Sequence, residues 1–148
     1  MKPALALAPL LLAAAFASGC TSTVSHAPPV TTPASLALAD SPAGQAIRAA
    51  VDEINATAGG PVAAQRAVLD RLVTSDQSAD QRACPVATTT LAFDPAYRDM
   101  RLAAGGTDYL LPAYITIYTN GRITGSDLTT LRLWVTAGVA RTAALCVS

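Results

Sequence analysis

Side chains able to titrate near neutrality or to attack a substrate are scarce in this 148-residue chain, so their placement decides what chemistry is open to it. The single histidine, His26, lies in a Pro- and Thr-rich stretch. That leaves no Ser–His or Cys–His nucleophile pair and no histidine-based metal site for a folded region further on. Lysine occurs once, at Lys2, so a Schiff base is excluded there too. Gly59-Gly60 and Gly105-Gly106 fit neither a dinucleotide loop nor a phosphate loop. Carboxylates remain. Asp76 and Asp80 are four apart and share a helical face, but two carboxylates without a Gly-containing loop fall short of a calcium site. Asp52 and Glu53 are adjacent on a helical pattern and point about 100° apart, so they form no acid–base pair. Asp94, Asp99 and Asp108 bracket turns, where aspartate serves local hydrogen bonds.

The constellation with most to offer is aromatic. Along the strand pattern from Thr107, Leu111, Ala113, Ile115 and Ile117 fall on one side, while Leu110, Pro112, Tyr114, Thr116 and Tyr118 fall on the other. Along Leu128 to Thr136, Leu131, Leu133 and Val135 alternate with Thr130, Arg132, Trp134 and Thr136. With the aliphatic sides toward the core, Tyr114, Tyr118, Arg132 and Trp134 share the remaining sheet face. Tyr, Trp and Arg dominate the hot spots of protein contacts and also stack on sugars and apolar ligands. The same residues equally suit plain cross-strand packing.

The N-terminus reads as a processing segment. Met1-Lys2 is a short positive start, residues 4–17 are apolar and rich in Leu and Ala, and Ala17-Ser18-Gly19 are small. The run is short for a bilayer span and polar residues follow it. Ala17-Ser18-Gly19-Cys20 resembles the lipobox of bacterial lipoproteins, in which the cysteine becomes the acylated N-terminus. Such boxes usually carry Leu where Ala17 stands. On that resemblance residues 1–19 are a signal peptide, Cys20 carries lipid, and the protein is exported and anchored to the outer face of the cell membrane or cell envelope. Cys84 and Cys146 then remain as a pair in an oxidising compartment and are expected to form a disulfide. The bridge closes a loop of 62 residues, which the chain-entropy model values at about 4 kcal/mol.

The elements that must position these residues follow from patterning. Residues 20–39 combine Ser and Thr with Pro28-Pro29 and Pro33 and read as a solvated tether. The folded domain spans 40–148 and leaves about 110 residues, enough for one core. Ser41-Pro42 opens a helix whose stripe is Ile47, Ala50, Val51, Ile54 and Ala58. Gly59-Gly60 ends it, and Pro61 starts a second, with Val68, Leu69, Leu72 and Val73 inward and Gln65, Arg66, Asp70 and Arg71 outside. Ser75 to Arg82 adds one or two helical turns. Strands are expected over 86–93, with a turn at Asp94-Pro95, then over 107–119, 128–136 and 139–147, with Asn120-Gly121 the strongest hairpin signal and Arg122 to Gly125 beginning the return. Tyr97 to Ala103 fits either a strand or a short helix.

Helices first and strands afterwards make the chain α+β: N-terminal helices packed on a curved antiparallel β-meander, with one disulfide. This order resembles the cystatin-like cone shared by nuclear-transport-factor-like and SnoaL-like domains. The whole chain also resembles the small lipoproteins that actinobacteria place in their envelopes. The cone resemblance implies two alternatives, a carrier of a small hydrophobic ligand in the cone cavity, or an enzyme using Asp and Tyr as acid and base. The missing catalytic groups favour a non-catalytic binding or interaction domain. No cofactor and no metal is expected. With ten basic and ten acidic residues the chain is neutral, which argues against nucleic acid. The expected partners are the membrane, through the lipid, and an envelope protein or small apolar ligand. A homodimer stays open.

Overall fold

The two long helices each start at a proline, the first behind a serine cap. The computed structural model describes residues 34–84 and 88–146. Helix α1 covers Ala34–Ala39 and α2 covers Pro42–Asn55. Ser41 is extended, and its hydroxyl accepts the Gly44 N–H at 3.1 Å, while Pro42 fills the first helical position, where no N–H is needed. Ile47, Ala50, Val51 and Ile54 of α2 are buried at helical spacing. Pro61 precedes α3, Val62–Leu72, which buries Val68, Leu69 and Leu72. A 3-10 turn, Ser75–Gln77, runs into α4, Ser78–Ala83. Two features depart from the sequence reading. Ala39, within the stretch read as tether, is buried in the core. Gln65, placed outside the stripe of α3, is 3% exposed.

The sheet consists of β1 (Thr89–Pro95), β2 (Arg101–Leu102), β3 (Tyr109–Thr119), β4 (Arg122–Thr136) and β5 (Val139–Thr142), in the order β1-β3-β4-β5 with β2 also against β3. All these pairings are antiparallel. The β3–β4 hairpin turns at Asn120 and Gly121, both at positive φ (51° and 74°), which suits the strand twist. The strand that carries the 128–136 alternation starts at Arg122. β4 is one 15-residue strand whose register shifts opposite Ile117 and Tyr118, absorbing an extra residue as a bulge. Asp94 and Pro95 finish β1 instead of turning; the turn follows at Tyr97–Asp99, and Ala96 donates its N–H to the Pro112 carbonyl at 2.8 Å. That bond also explains why Pro112 is tolerated inside β3. Its missing N–H faces the side that β1 has already left. The last strand stops at Thr142, short of the expected 147.

Register sorts the side chains. Leu91, Phe93, Leu111, Ala113, Leu131, Leu133 and Ala140 form the inner face and pack with α2 and α3. β1 and β5 lie at opposite ends of the strand order, yet α2 touches both, so the sheet curls around this helix as a half-barrel. Ile47, Leu111 and Met100 fill the space inside and are fully buried. Each such side chain contributes about 2 kcal/mol of burial. Cys84, after α4, is bonded to Cys146, after β5, with a Cα–Cα distance of 5.1 Å.

Candidate functional site

The outer face of the sheet follows from the same register. Across it lie Ala92, Asp94, Arg101, Leu110, Pro112, Tyr114, Thr116, Ser126, Leu128, Thr130, Arg132, Trp134 and Arg141. The helices occupy the opposite face. Tyr114, Arg132 and Trp134 therefore share a side, and pairing assigns Tyr118 to it as well.

They do not form one cluster. Arg132 and Trp134 are together: the guanidinium carbon lies 5.3 Å from the indole centroid, within cation–π range. Tyr114 stands four residues along β3 from Leu110, the partner of Arg132, or about 13 Å at strand rise. Its side chain is 44% exposed, and its hydroxyl donates to Ser126 Oγ at 2.5 Å. Opposite it, Leu128 is 79% exposed. Tyr118 lies at the far end beside the hairpin and is half-buried. Its ring packs on Gly59, where a Cβ would come within 3.3 Å of it. Gly59 has φ +69° and donates its N–H to the Thr90 hydroxyl, so the α2–α3 turn folds over that end. Tyr118 is a packing residue there.

One residue that sequence reasoning assigned to a turn proves central. Asp108 is buried, its side chain only 3% exposed, and it forms an ion pair with Arg132 Nε. The Thr107 hydroxyl donates to its other oxygen at 3.3 Å. The carboxylate holds the guanidinium over Trp134 while the Arg132 side chain stays 57% exposed. The signal lay in the alternation: extending the register by one residue sets Asp108 opposite Trp134, diagonal to Arg132. Two further arginines border the cluster. Arg141 is paired with Trp134 across β4–β5, and Arg101 with Leu110 across β2–β3. Arg141 also donates to the Arg71 carbonyl at 2.5 Å, tying it over the β5 edge. With Arg141 drawn to that edge, Arg101 and Arg132 against one carboxylate leave this end of the face positive, beside an aromatic ring.

An open cavity of about 420 Å³ lies elsewhere, lined by Ala39, Asp40, Arg48, Pro95, Tyr97 and Asp99 among others. The Arg48 guanidinium sits 3.8 Å over the Tyr97 ring. Burial, then the nearby Asp52 carboxylate, raise the Tyr97 hydroxyl above its ordinary value, against the opposing pull of Arg48. Asp108 does not line this cavity, and its hydrogen-bond partners are Arg132 and Thr107, with no tyrosine hydroxyl among them. Among the described residues no group of three His, Cys, Asp or Glu could hold a metal ion. Nor is any described helix long and apolar enough to cross a membrane. Cys20, His26 and the whole signal segment lie outside the described residues. No family model, no curated protein and no solved structure matches the chain.

Proposed function

We propose that this chain is an exported lipoprotein, anchored through Cys20, whose domain adopts a cystatin-like cone and holds a partner protein against the outer face of its sheet. The observation that carries the reading is the buried Asp108 carboxylate, which fixes a mostly exposed Arg132 over Trp134 on a face no described helix covers. An ordered guanidinium beside a half-buried indole loses little freedom on binding, and such residues anchor protein contacts. Arg101, beside Arg132, matches a partner presenting acidic groups next to an apolar contact. The interior, filled by Ile47, Met100 and Leu111, supports this reading over a carrier of ligands inside the curl. The sequestered Asp108 favours it over acid–base catalysis.

The test is cross-linking of the full chain in the cells that make it, followed by identification of the captured protein. Trp134→Ala is expected to cost about 2 kcal/mol of binding, or roughly 30-fold in capture. Gln45→Ala, exposed on α2, should leave capture unchanged. Equal capture by the Trp134 variant would remove this face from consideration. The anchor is checked separately: Cys20→Ser should move the chain from the membrane fraction to the soluble exported one, and retention on the membrane would overturn it.

A further inference from the structure

Strand edges carry unpaired N–H and C=O groups that invite a further strand. Two edges of this sheet are sealed by side chains from the helical layer. On β1, the outward groups of Phe93 are met by Asn55, which accepts its N–H at 2.7 Å and donates to its carbonyl at 2.8 Å. Those of Leu91 are met in the same way by Gln65, at 2.6 and 2.7 Å. Beyond β4, the β5 edge is sealed by the Thr74 N–H on the Thr142 carbonyl. Gln77 and Gln81 take the N–H groups of Ala144 and Leu145.

The third edge is different. β5 pairs with β4 from Leu133 to Thr136, and Ala143 reaches back to the Arg132 carbonyl. From Arg122 to Leu131, no described strand lies on the outer side of β4. The Arg132 carbonyl faces β5, so by alternation Ser126, Leu128 and Thr130 direct their backbone groups to the open side. Their side chains lie on the outer face, where Leu128 is 79% exposed. One outward N–H, that of Leu128, is taken by the carboxylate of its own neighbour Asp127 at 2.7 Å.

We infer that this edge pairs with the same edge of a second copy, antiparallel, about a two-fold axis at Leu128. Among the registers centred on a residue of this edge, that one maps the three outward residues onto themselves. Leu128 faces its counterpart, and Ser126 faces Thr130 of the other copy. A two-fold at Asp127 would set two carboxylates opposite each other, which is destabilising. A two-fold at Thr129 would oppose Ser126 to Arg132, whose carbonyl is already used. In the Leu128 register Asp127 faces Thr129 of the other copy. The Asp127 carboxylate leaves the Leu128 N–H and gains a hydroxyl donor in exchange. The two Leu128 side chains meet on the outer face. This inference is independent of what binds near Trp134.

The test uses the full chain, extracted from the producing cells in mild detergent. Native mass spectrometry should find a dimer. Leu128→Cys should give a disulfide-linked dimer on non-reducing electrophoresis, because a hydrogen-bonded antiparallel pair has a Cα separation of about 5.5 Å. Thr130→Cys should not link, since its counterpart lies four residues away, about 13 Å. Thr130→Pro removes an N–H that faces solvent in the single chain. It should keep the circular dichroism of the parent while lowering the dimer fraction at least tenfold. A monomeric parent, a dimer that survives Thr130→Pro, or linking by Thr130→Cys in place of Leu128→Cys would each overturn the inference.

Discussion

Asp108 shows how one buried charge constrains an exposed one. Its carboxylate is taken from water and compensated by Arg132 and the Thr107 hydroxyl, so removing Arg132 strands it. Arg132→Ala is therefore expected to cost about 2 kcal/mol, the range for losing a hydrogen bond to a charged group. The double variant with Asp108→Asn should recover part of that loss, as breaking a pair costs more than removing it. Urea unfolding of the four chains in the cycle measures the coupling, and additive effects would mean that Asp108 does not hold Arg132. A second pair behaves differently because water reaches it. Glu53 on α2 and Arg71 on α3 meet through two hydrogen bonds with both side chains exposed. The hydrogen bond from Arg71 holds the Glu53 carboxyl below its ordinary value of 4.5. As pH falls the unfolded chain takes up that proton first. The pair's contribution is complete above the ordinary value and disappears as pH drops through the lower folded one. Unfolding midpoints of the parent and Glu53→Gln, taken from about pH 7 to pH 3, should differ at the upper end and converge at the lower. A gap that persists in acid would show that charge is not its origin.

At the scale of elements, amide side chains perform work that helix patterning does not announce. Gln65 donates to the Ile54 and Leu91 carbonyls and accepts the Leu91 N–H, and so stands in for a missing strand beside β1. Gln65→Leu would bury more apolar surface but leave the Leu91 N–H and carbonyl without partners, each costing about 1–3 kcal/mol when dry, while the Ile54 carbonyl keeps Thr57. The loss should win by about 2 kcal/mol or more. Hydrogen exchange should show the Leu91 amide opening faster while Leu111 in β3 stays protected. Equal protection would mean that water replaces the clamp. This division explains what the sequence made legible. Ser41-Pro42, Gly59-Gly60, Pro61 and Asn120-Gly121 act within a few residues of themselves, so the helix starts and the hairpin could be read directly. Alternation along β3 and β4 likewise assigned Tyr114, Arg132 and Trp134 to one face. Gln65 and Asn55 bond to partners 26 and 38 residues away, and nothing local distinguishes them from solvated polar residues. Asp108 was hidden for the same reason: its partner Arg132 is 24 residues distant. The packing of Tyr118 beside Gly59 was hidden because the turn that covers it comes from the other layer. Such placements depend on how the sheet curls, which is a property of the assembled elements.

For the whole molecule, the question is what keeps so small a core closed around α2. The Cys84–Cys146 bridge encloses the entire sheet in a 62-residue loop, from the end of α4 to the segment after β5. Two mechanisms are available, and they predict different outcomes. The bridge can act on the unfolded chain by limiting its freedom, which is worth about 4 kcal/mol for this loop length. Alternatively it can act locally by holding the C-terminal segment on α4. That segment already has other restraints, because Gln77 and Gln81 bind the backbone of Ala144 and Leu145. The local contribution of the bridge is therefore partly redundant, and the effect on the unfolded state should dominate. Cys84→Ser with Cys146→Ser should then lower the unfolding free energy by about 4 kcal/mol. The denaturant slope should rise, since the released unfolded chain exposes more surface. The Leu145 amide should stay as protected relative to global unfolding as in the parent. An unchanged slope with early exchange at Leu145 would place the bridge's role at the terminus, and the closure of the half-barrel would then rest on the inner-face packing and the amide clamps alone.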